Sequence, residues 1–214
     1  HLLVATGRQP NVEGLELERA GIAYDKRGIK VDKGLRTTNR RVYAIGDVAG
    51  GLQFTHVAGW HGSLVIRNAL FRLPIDATPK AVPWVTFTDP ELASVGLSEA
   101  ETQRQRVPYD IVRWPYAEND RARAERATEG LIKLVVGKRG RVLGAAIVGA
   151  QAGELIFPWV LAVQQGMKLS AMASAVAPYP TLSEVSKRAA GAWFTPKLFS
   201  DRTRKLVDLL ARLG

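Results

Sequence analysis

A chain of 214 residues, 46% of them hydrophobic, is long enough to bury one large core or two small ones and is too apolar to be a disordered segment. It has no cysteine, which excludes a disulfide, a thiolate metal site and a thiol nucleophile within these residues. The formal net charge of +10 raises nucleic acid as a partner, but the basic residues are scattered among Glu16, Glu18, Glu99, Glu101, Glu118, Asp120 and Glu125 and show no aromatic interleaving, so no nucleic-acid partner is expected.

Taken in order, Leu2 to Ala5 reads as a buried strand ended by Thr6-Gly7, and Pro10-Asn11 as a turn. A beginning of His1-Leu2-Leu3, inside such a strand and without a signal peptide, suggests a piece of a longer protein. Leu15 to Ala20 allows one or two helical turns closed by Gly21, and Ile22–Tyr24 and Ile29–Val31 flank a turn at Asp25–Gly28. Val42 to Ile45 reads as a short strand running into Gly46-Asp47 and a glycine loop. A helix follows, capped by Thr55, with Val57, Trp60, Leu64 and Leu70 on one face. The prolines at 74, 79 and 83 break periodicity and mark a domain boundary, separating residues 1–76 from 79–214.

Beyond it, Trp84–Thr88 and Leu92–Val95 are strand-like, and Ser98 with Glu101 forms a capping box for a helix reaching about Arg106. Tyr109–Trp114 is a strand, Asn119–Ala127 a short charged helix, and Gly130–Gly137 with Val142–Gly149 a hairpin around Lys138-Arg139-Gly140. Gly153–Gly166 reads as a helix, another lies near Ser170, and Thr181 or Ser183 caps a longer one running past Arg188. The stretch from Lys197 to Arg212 stands out only as the densest basic run, interrupted by Asp201 and Asp208. The fold class is therefore α+β: an antiparallel sheet with flanking helices, preceded by the C-terminal part of an α/β domain. The longest apolar run, Leu155 to Val163, contains Pro158 and falls well short of the ~18 residues of a membrane span, so a cytoplasmic protein is expected.

Few residues offer chemistry. His56 and His61 stand five apart, a poor spacing for one shared metal, and no metal site is expected. The most informative local pattern is strand, Gly46-Asp47, glycine loop and helix. A carboxylate at the C-terminal end of a strand faces the crevice where α/β sheets bind ligands, and the helix start offers unpaired backbone amides with a positive dipole end.

Four ordered motifs resemble the pyridine nucleotide-disulfide oxidoreductases. Leu3-Val4-Ala5-Thr6-Gly7-Arg8-Gln9-Pro10-Asn11 resembles the strand and turn leaving their NAD(P)H domain, and Thr37-Thr38 with Val42-Tyr43-Ala44-Ile45-Gly46-Asp47-Val48 their second FAD motif. The stretch Pro83 to Leu97 resembles the opening of their dimerisation domain, and Tyr179-Pro180-Thr181-Leu182-Ser183-Glu184 their C-terminal active-site segment. The resemblance implies that Asp47 holds the ribityl chain of FAD, with Gly46 also in the cofactor site, that the backbone at Thr55 faces the flavin's pyrimidine edge, and that His56 lies beside the flavin. It also implies an NAD(P)H-dependent homodimer with a disulfide or small-molecule electron acceptor, in which this chain supplies the dimer interface and part of the flavin site.

Departures qualify that reading. The G-x-G-x-x-G motif and the redox cysteine pair are absent from these residues, so the chain alone is expected to be catalytically incomplete and to hold FAD weakly or not at all. Tyr179 stands where glutathione reductases and dihydrolipoamide dehydrogenases carry a histidine oriented by the glutamate matching Glu184, whereas mercuric reductases share the tyrosine. Apolar residues such as Phe157, Trp159, Trp193 and Phe194 are expected at the two-fold interface. The alternative is a cofactor-free dimerising interaction module.

Overall fold

Apolar strands line the core of the larger part of the structure, a computed structural model that describes residues 1–212. Five strands form one antiparallel sheet. They follow a separate two-residue hairpin of β1 (Tyr24–Asp25) and β2 (Gly28–Ile29), and are β3 (Trp84–Thr86), β4 (Glu91–Gly96), β5 (Asp110–Pro115), β6 (Leu131–Val136) and β7 (Val142–Gly149). The spatial order is β3-β4-β7-β6-β5, so the last strand in sequence sits at the centre. It pairs with β4 from Gly149 opposite Glu91 to Gly144 opposite Gly96, and with β6 through a hairpin whose register shifts between Val135 and Val136. The chain divides into two compact units, His1–Pro79 and the remainder from Lys80.

In the second unit the helices are α2 (Glu99–Arg104), α3 (Asp120–Ala124), α4 (Ala152–Leu155), α5 (Phe157–Gln164), α6 (Leu169–Ser174), α7 (Glu184–Ala192), α8 (Thr195–Leu198) and α9 (Asp201–Ala211); α1 (Thr55–Phe71) belongs to the first unit. The Ser98 capping box starts α2 as expected: the Glu101 amide donates to Ser98 Oγ at 3.1 Å, and Glu101 accepts the Ser98 amide at 2.8 Å. The helix expected over 153–166 is instead two, α4 and α5, meeting at Ile156. Pro158 explains the break, since proline fits the first turn of a new helix but would interrupt a continuing one. α5 lies against β4 and β7, α7 against β5 and β6. Between them the core gathers Ile132, Leu134, Ile147, Trp159, Leu169 and Val185, each fully or almost fully buried. Trp159 is therefore core and not interface: its indole N–H donates to Ser186 Oγ on α7 at 2.9 Å. Trp193 and Phe194 are partly buried against the same core, and only Phe157 of that expected set is well exposed.

The first unit has a much smaller interior: a cluster of Leu17, Ile22, Ile29 and Ala44, with Leu35, Val57 and Leu64 also buried. Polar side chains compensate. Thr38 accepts the Ala23 amide at 2.9 Å and donates to the Gly21 carbonyl at 2.7 Å, while Asn39 Nδ2 donates to the Ala20 carbonyl at 2.8 Å. Several expectations for this unit are corrected. Leu2–Ala5 is not a strand, and Leu2 and Leu3 are fully exposed; a strand needs a neighbour to satisfy its backbone, and no described residue pairs with it. Val42–Ile45 forms only one isolated bridge, Arg36 with Tyr43. Residues 15–20 make hydrogen-bonded turns closed by Gly21 at φ +68°, without a helix. On α1 the buried side is Val57, His61 and Leu64, while Leu70 is exposed.

Gly130, which leads into β6, takes φ +111°, and a Cβ there would come within 1.9 Å of the Val148 carbonyl oxygen on the neighbouring strand. Gly130→Ala is expected to destabilise the second unit by about 2–4 kcal/mol through this clash and the unfavourable φ. Equilibrium urea unfolding followed by tryptophan fluorescence checks it.

Candidate functional site

The carboxylate singled out by sequence sits on a 3-10 turn, Gly46–Ala49, packed on α1. Two contacts seat that turn. Gly46 has φ +65°, and a side chain there would bring a Cβ to 2.8 Å from the Ala58 Cβ, so only glycine permits the approach. The Gly46 amide donates to Nδ1 of His61 at 3.2 Å. Asp47 then projects a carboxylate that is 45% exposed, with Arg8 Nη1 3.8 Å away. Arg8 also donates to the Gln53 carbonyl at 3.1 Å. Asp47 is thus an accessible acceptor with one cation beside it.

Thr55 is not the cap of α1 but its first residue; Phe54 holds the cap position in extended backbone and provides no side-chain bond. The effect is to leave the first amides of the helix, those of Thr55 and His56, without a partner among the described residues, which suits them to receive an electron-rich ligand atom. His56 is exposed and stacks on Phe54, ring centroids 4.9 Å apart and planes within 13°.

The histidine that organises this region is His61, on the buried face of α1 four residues beyond Val57. To accept the Gly46 amide its Nδ1 must carry no proton, and burial pushes its pKa below the usual histidine value. It also lines an open cavity of about 350 Å³ together with Val31, Leu35, Ala49, Gly50 and Val57. Gly46, Asp47, Thr55 and His56 do not line that cavity. Sequence reasoning considered His61 only as a metal ligand; its helical spacing from Val57 was the available signal. Among the described residues no group of three or more His, Asp or Glu is arranged to hold a metal ion.

Tyr179 and Glu184 lie in the second unit, before and at the start of α7. Tyr179 is 68% exposed, and its hydroxyl donates to Asp120 Oδ2 at 3.2 Å. That bond, followed by the charge of Asp120 and a smaller effect of Glu184, raises the phenol's pKa above its ordinary value, with Arg188 opposing. Glu184 is mostly buried, sits in the first turn of α7 where a negative charge is favoured, and faces Arg188 at 3.9 Å. Beside it a second cavity, about 440 Å³, is lined by Trp114, Glu184, Lys187 and Arg188, with the Trp114 indole nitrogen buried and without a hydrogen-bond partner among the described residues.

The segment carrying Tyr179 is held by a residue that sequence reasoning passed over. Asn119 is almost fully buried; its Oδ1 caps α3 by accepting the Ala122 amide at 2.9 Å, and its Nδ2 donates to the Thr181 carbonyl at 3.2 Å. Thr181 in turn donates to the Pro178 carbonyl at 2.7 Å. The carboxylate that meets Tyr179 thus belongs to the residue after the cap.

Two family descriptions match the chain: pyridine nucleotide-disulphide oxidoreductase over residues 1–62, and the dimerisation domain of the same family over residues 82–190. Mercuric reductase of Staphylococcus aureus is 40% identical over 191 residues, which are 88% of this chain and 35% of that protein. Dihydrolipoyl dehydrogenase of Bacillus subtilis is 37% identical over 192 residues, 89% of this chain and 41% of that one. Among solved structures, the HOCl-induced flavoprotein disulfide reductase RclA of Escherichia coli superposes with a TM-score of 0.81 at 31% identity, covering 87% of this chain and 44% of that one. The chain therefore spans less than half the length of these relatives.

Because His61 keeps the Gly46 turn in place only while neutral, and its folded pKa is depressed, its contribution is complete above the ordinary histidine pKa of ~6.5 and is lost as pH falls below that value toward the folded pKa. Protection of the Gly46 amide against hydrogen exchange, corrected for intrinsic rate, is expected to fall through that window in the native chain. In His61→Ala it should be low and independent of pH.

Proposed function

The chain belongs to the pyridine nucleotide-disulphide oxidoreductase family, and from that premise we propose that it supplies part of the flavin site and the dimer interface of an FAD-dependent enzyme that oxidises NAD(P)H. The observation that carries the reading is the Gly46–Ala49 turn, seated on α1 by the Gly46–His61 bond, with an accessible carboxylate and unpaired helix-start amides on one local frame.

These residues fit such a group by their donor set. The Asp47 carboxylate accepts hydrogen bonds from hydroxyls of a polyol chain. The amides of Thr55 and His56, at the positive end of α1, stabilise negative charge on a ring edge. His56, exposed beside Phe54, presents a flat polar edge to the same region. Bound there, a flavin supplies the two-electron chemistry that connects NAD(P)H with a disulfide or another small acceptor. The 214 residues contain no G-x-G-x-x-G loop for a pyrophosphate, so the chain on its own holds the cofactor weakly. We assign the reaction to the cytoplasm, as a soluble NAD(P)H-consuming enzyme; among the described residues no helix is long and apolar enough to cross a membrane.

Tyr179 acts as a proton-holding donor in this scheme. Its hydroxyl is bonded to Asp120 and its pKa is raised, so at neutral pH it stays protonated and serves to donate a hydrogen bond or to contact an acceptor, not to shuttle a proton as a histidine does. Glu184 supports α7 through its first-turn charge and Arg188. For the full-length enzyme, Tyr179→Phe is expected to slow turnover of the natural acceptor about tenfold, the value of one lost hydrogen bond of ~1.4 kcal/mol. Tyr179→His is expected to raise dihydrolipoamide turnover by a comparable factor. Steady-state kinetics of the three forms decide this: unchanged rates in Tyr179→Phe reduce the residue to packing.

The homodimer rests on the dimerisation-domain match and on exposed apolar side chains, Phe87, Leu92, Phe157 and Leu161, carried by or beside β4, α4 and α5, elements that pack together. Light scattering on a size-exclusion column is expected to give twice the 23.3 kDa chain mass at tens of micromolar. A monomer at that concentration, roughly where even weak specific dimers form, argues against it.

A further inference from the structure

The last helix has no covered face. α9 contains no buried residue, and all of its positions are exposed except the half-buried Thr203. It is nevertheless properly begun: Ser200 Oγ accepts the Thr203 amide at 3.3 Å. Helical spacing places Leu206, Leu209, Leu210 and Val207 on one side with Thr203, headed by Arg202 in the first turn, and Arg204, Lys205, Asp208 and Arg212 on the other. Each of the four aliphatic side chains is more than half exposed, and Leu198 and Phe199 just before the helix are exposed as well. Arg202, Arg204, Lys205 and Arg212 outnumber Asp201 and Asp208, and the chain as a whole carries +10. The helix lies outside the stretch 82–190 that matches the dimerisation domain.

An isolated helix of 11 residues is marginal in water, and an apolar stripe of this width needs a second phase to cover it. Charge selects the phase. Pairing α9 with its copy would bring two cationic helices together in a low-dielectric contact, whereas an anionic lipid surface accepts the aliphatic stripe and the cations at once. We propose that α9, with Leu198 and Phe199, is a peripheral anchor lying in the headgroup region of an anionic bilayer, its apolar side turned into the acyl boundary. The helix is too short to span, so the attachment is reversible and depends on lipid charge and salt. It is independent of the flavin reading.

Cosedimentation of the 214-residue chain with vesicles tests the idea. Vesicles of phosphatidylcholine with phosphatidylglycerol are expected to pellet the protein, vesicles of phosphatidylcholine alone to leave it in solution, and high salt to release it. The double variant Leu206→Gln, Leu210→Gln is expected to weaken partitioning at least about tenfold, as loss of two buried aliphatic side chains implies. Lys205→Glu with Arg204→Glu should do the same by charge. Both variants should keep the helix content and particle mass of the native protein, since every altered side chain is exposed. The anchor is overturned by failure to pellet with anionic vesicles, or by undiminished pelleting of the leucine variant, which would mean a diffuse charge effect. A change of particle mass in that variant also overturns it, because the stripe would then be buried between copies.

Discussion

The hydrogen bond between Trp159 and Ser186 joins the parts on which the second unit depends. A fully buried indole N–H must find an acceptor or cost about 1–3 kcal/mol, and here the acceptor is on α7 while the ring belongs to α5. α5 covers β4 and β7; α7 covers β5 and β6. One side-chain bond therefore ties the covers of the two halves of the sheet. On the central strand β7, Gly144 and Gly149 leave room for the Leu97 backbone and the Tyr116 ring, which a Cβ would meet at 2.1 and 2.6 Å.

The candidate functional groups are positioned by polar atoms that are themselves buried. Asn119 holds the Tyr179 segment through a carbonyl two residues away, and His61 holds the Asp47 turn through the amide of Gly46. In both cases the exposed group is free to meet a ligand because the neighbouring backbone is restrained from inside. The division of labour follows from solvent: a fully exposed side chain cannot define its own position, and a buried one without a partner is costly.

What the sequence made legible was whatever depends on neighbours in the chain. The apolar runs of β4, β6 and β7, the Ser98–Glu101 box and the turn at Lys138–Gly140 are local, and each formed close to where it was expected. Leu2–Ala5 failed because an apolar run specifies a strand only when another strand accepts its hydrogen bonds. α9 was hidden by its own cations, since Lys and Arg mask an apolar stripe when charge is read along the chain and not around the helix. Asp120 as the partner of Tyr179 lies 59 residues away, and no local pattern encodes such a meeting. The burial of Trp159 is not legible in the sequence, because it follows from tertiary packing, which the spacing from Phe157 does not reveal.

The small interior of the first unit has a thermodynamic consequence. The cluster of Leu17, Ile22, Ile29 and Ala44, the buried Leu35, Val57 and Leu64, and the hydrogen bonds of Thr38 and Asn39, each worth ~1 kcal/mol net, leave this unit with a narrower margin of cohesion than the second. A molecule gripping the Gly46–Asp47 turn would then be a structural component of the unit as much as its cargo. Its binding free energy would add directly to that margin and grow with the logarithm of its concentration. Folding and occupancy would be one linked equilibrium, in which affinity is set by how often the empty unit is already assembled.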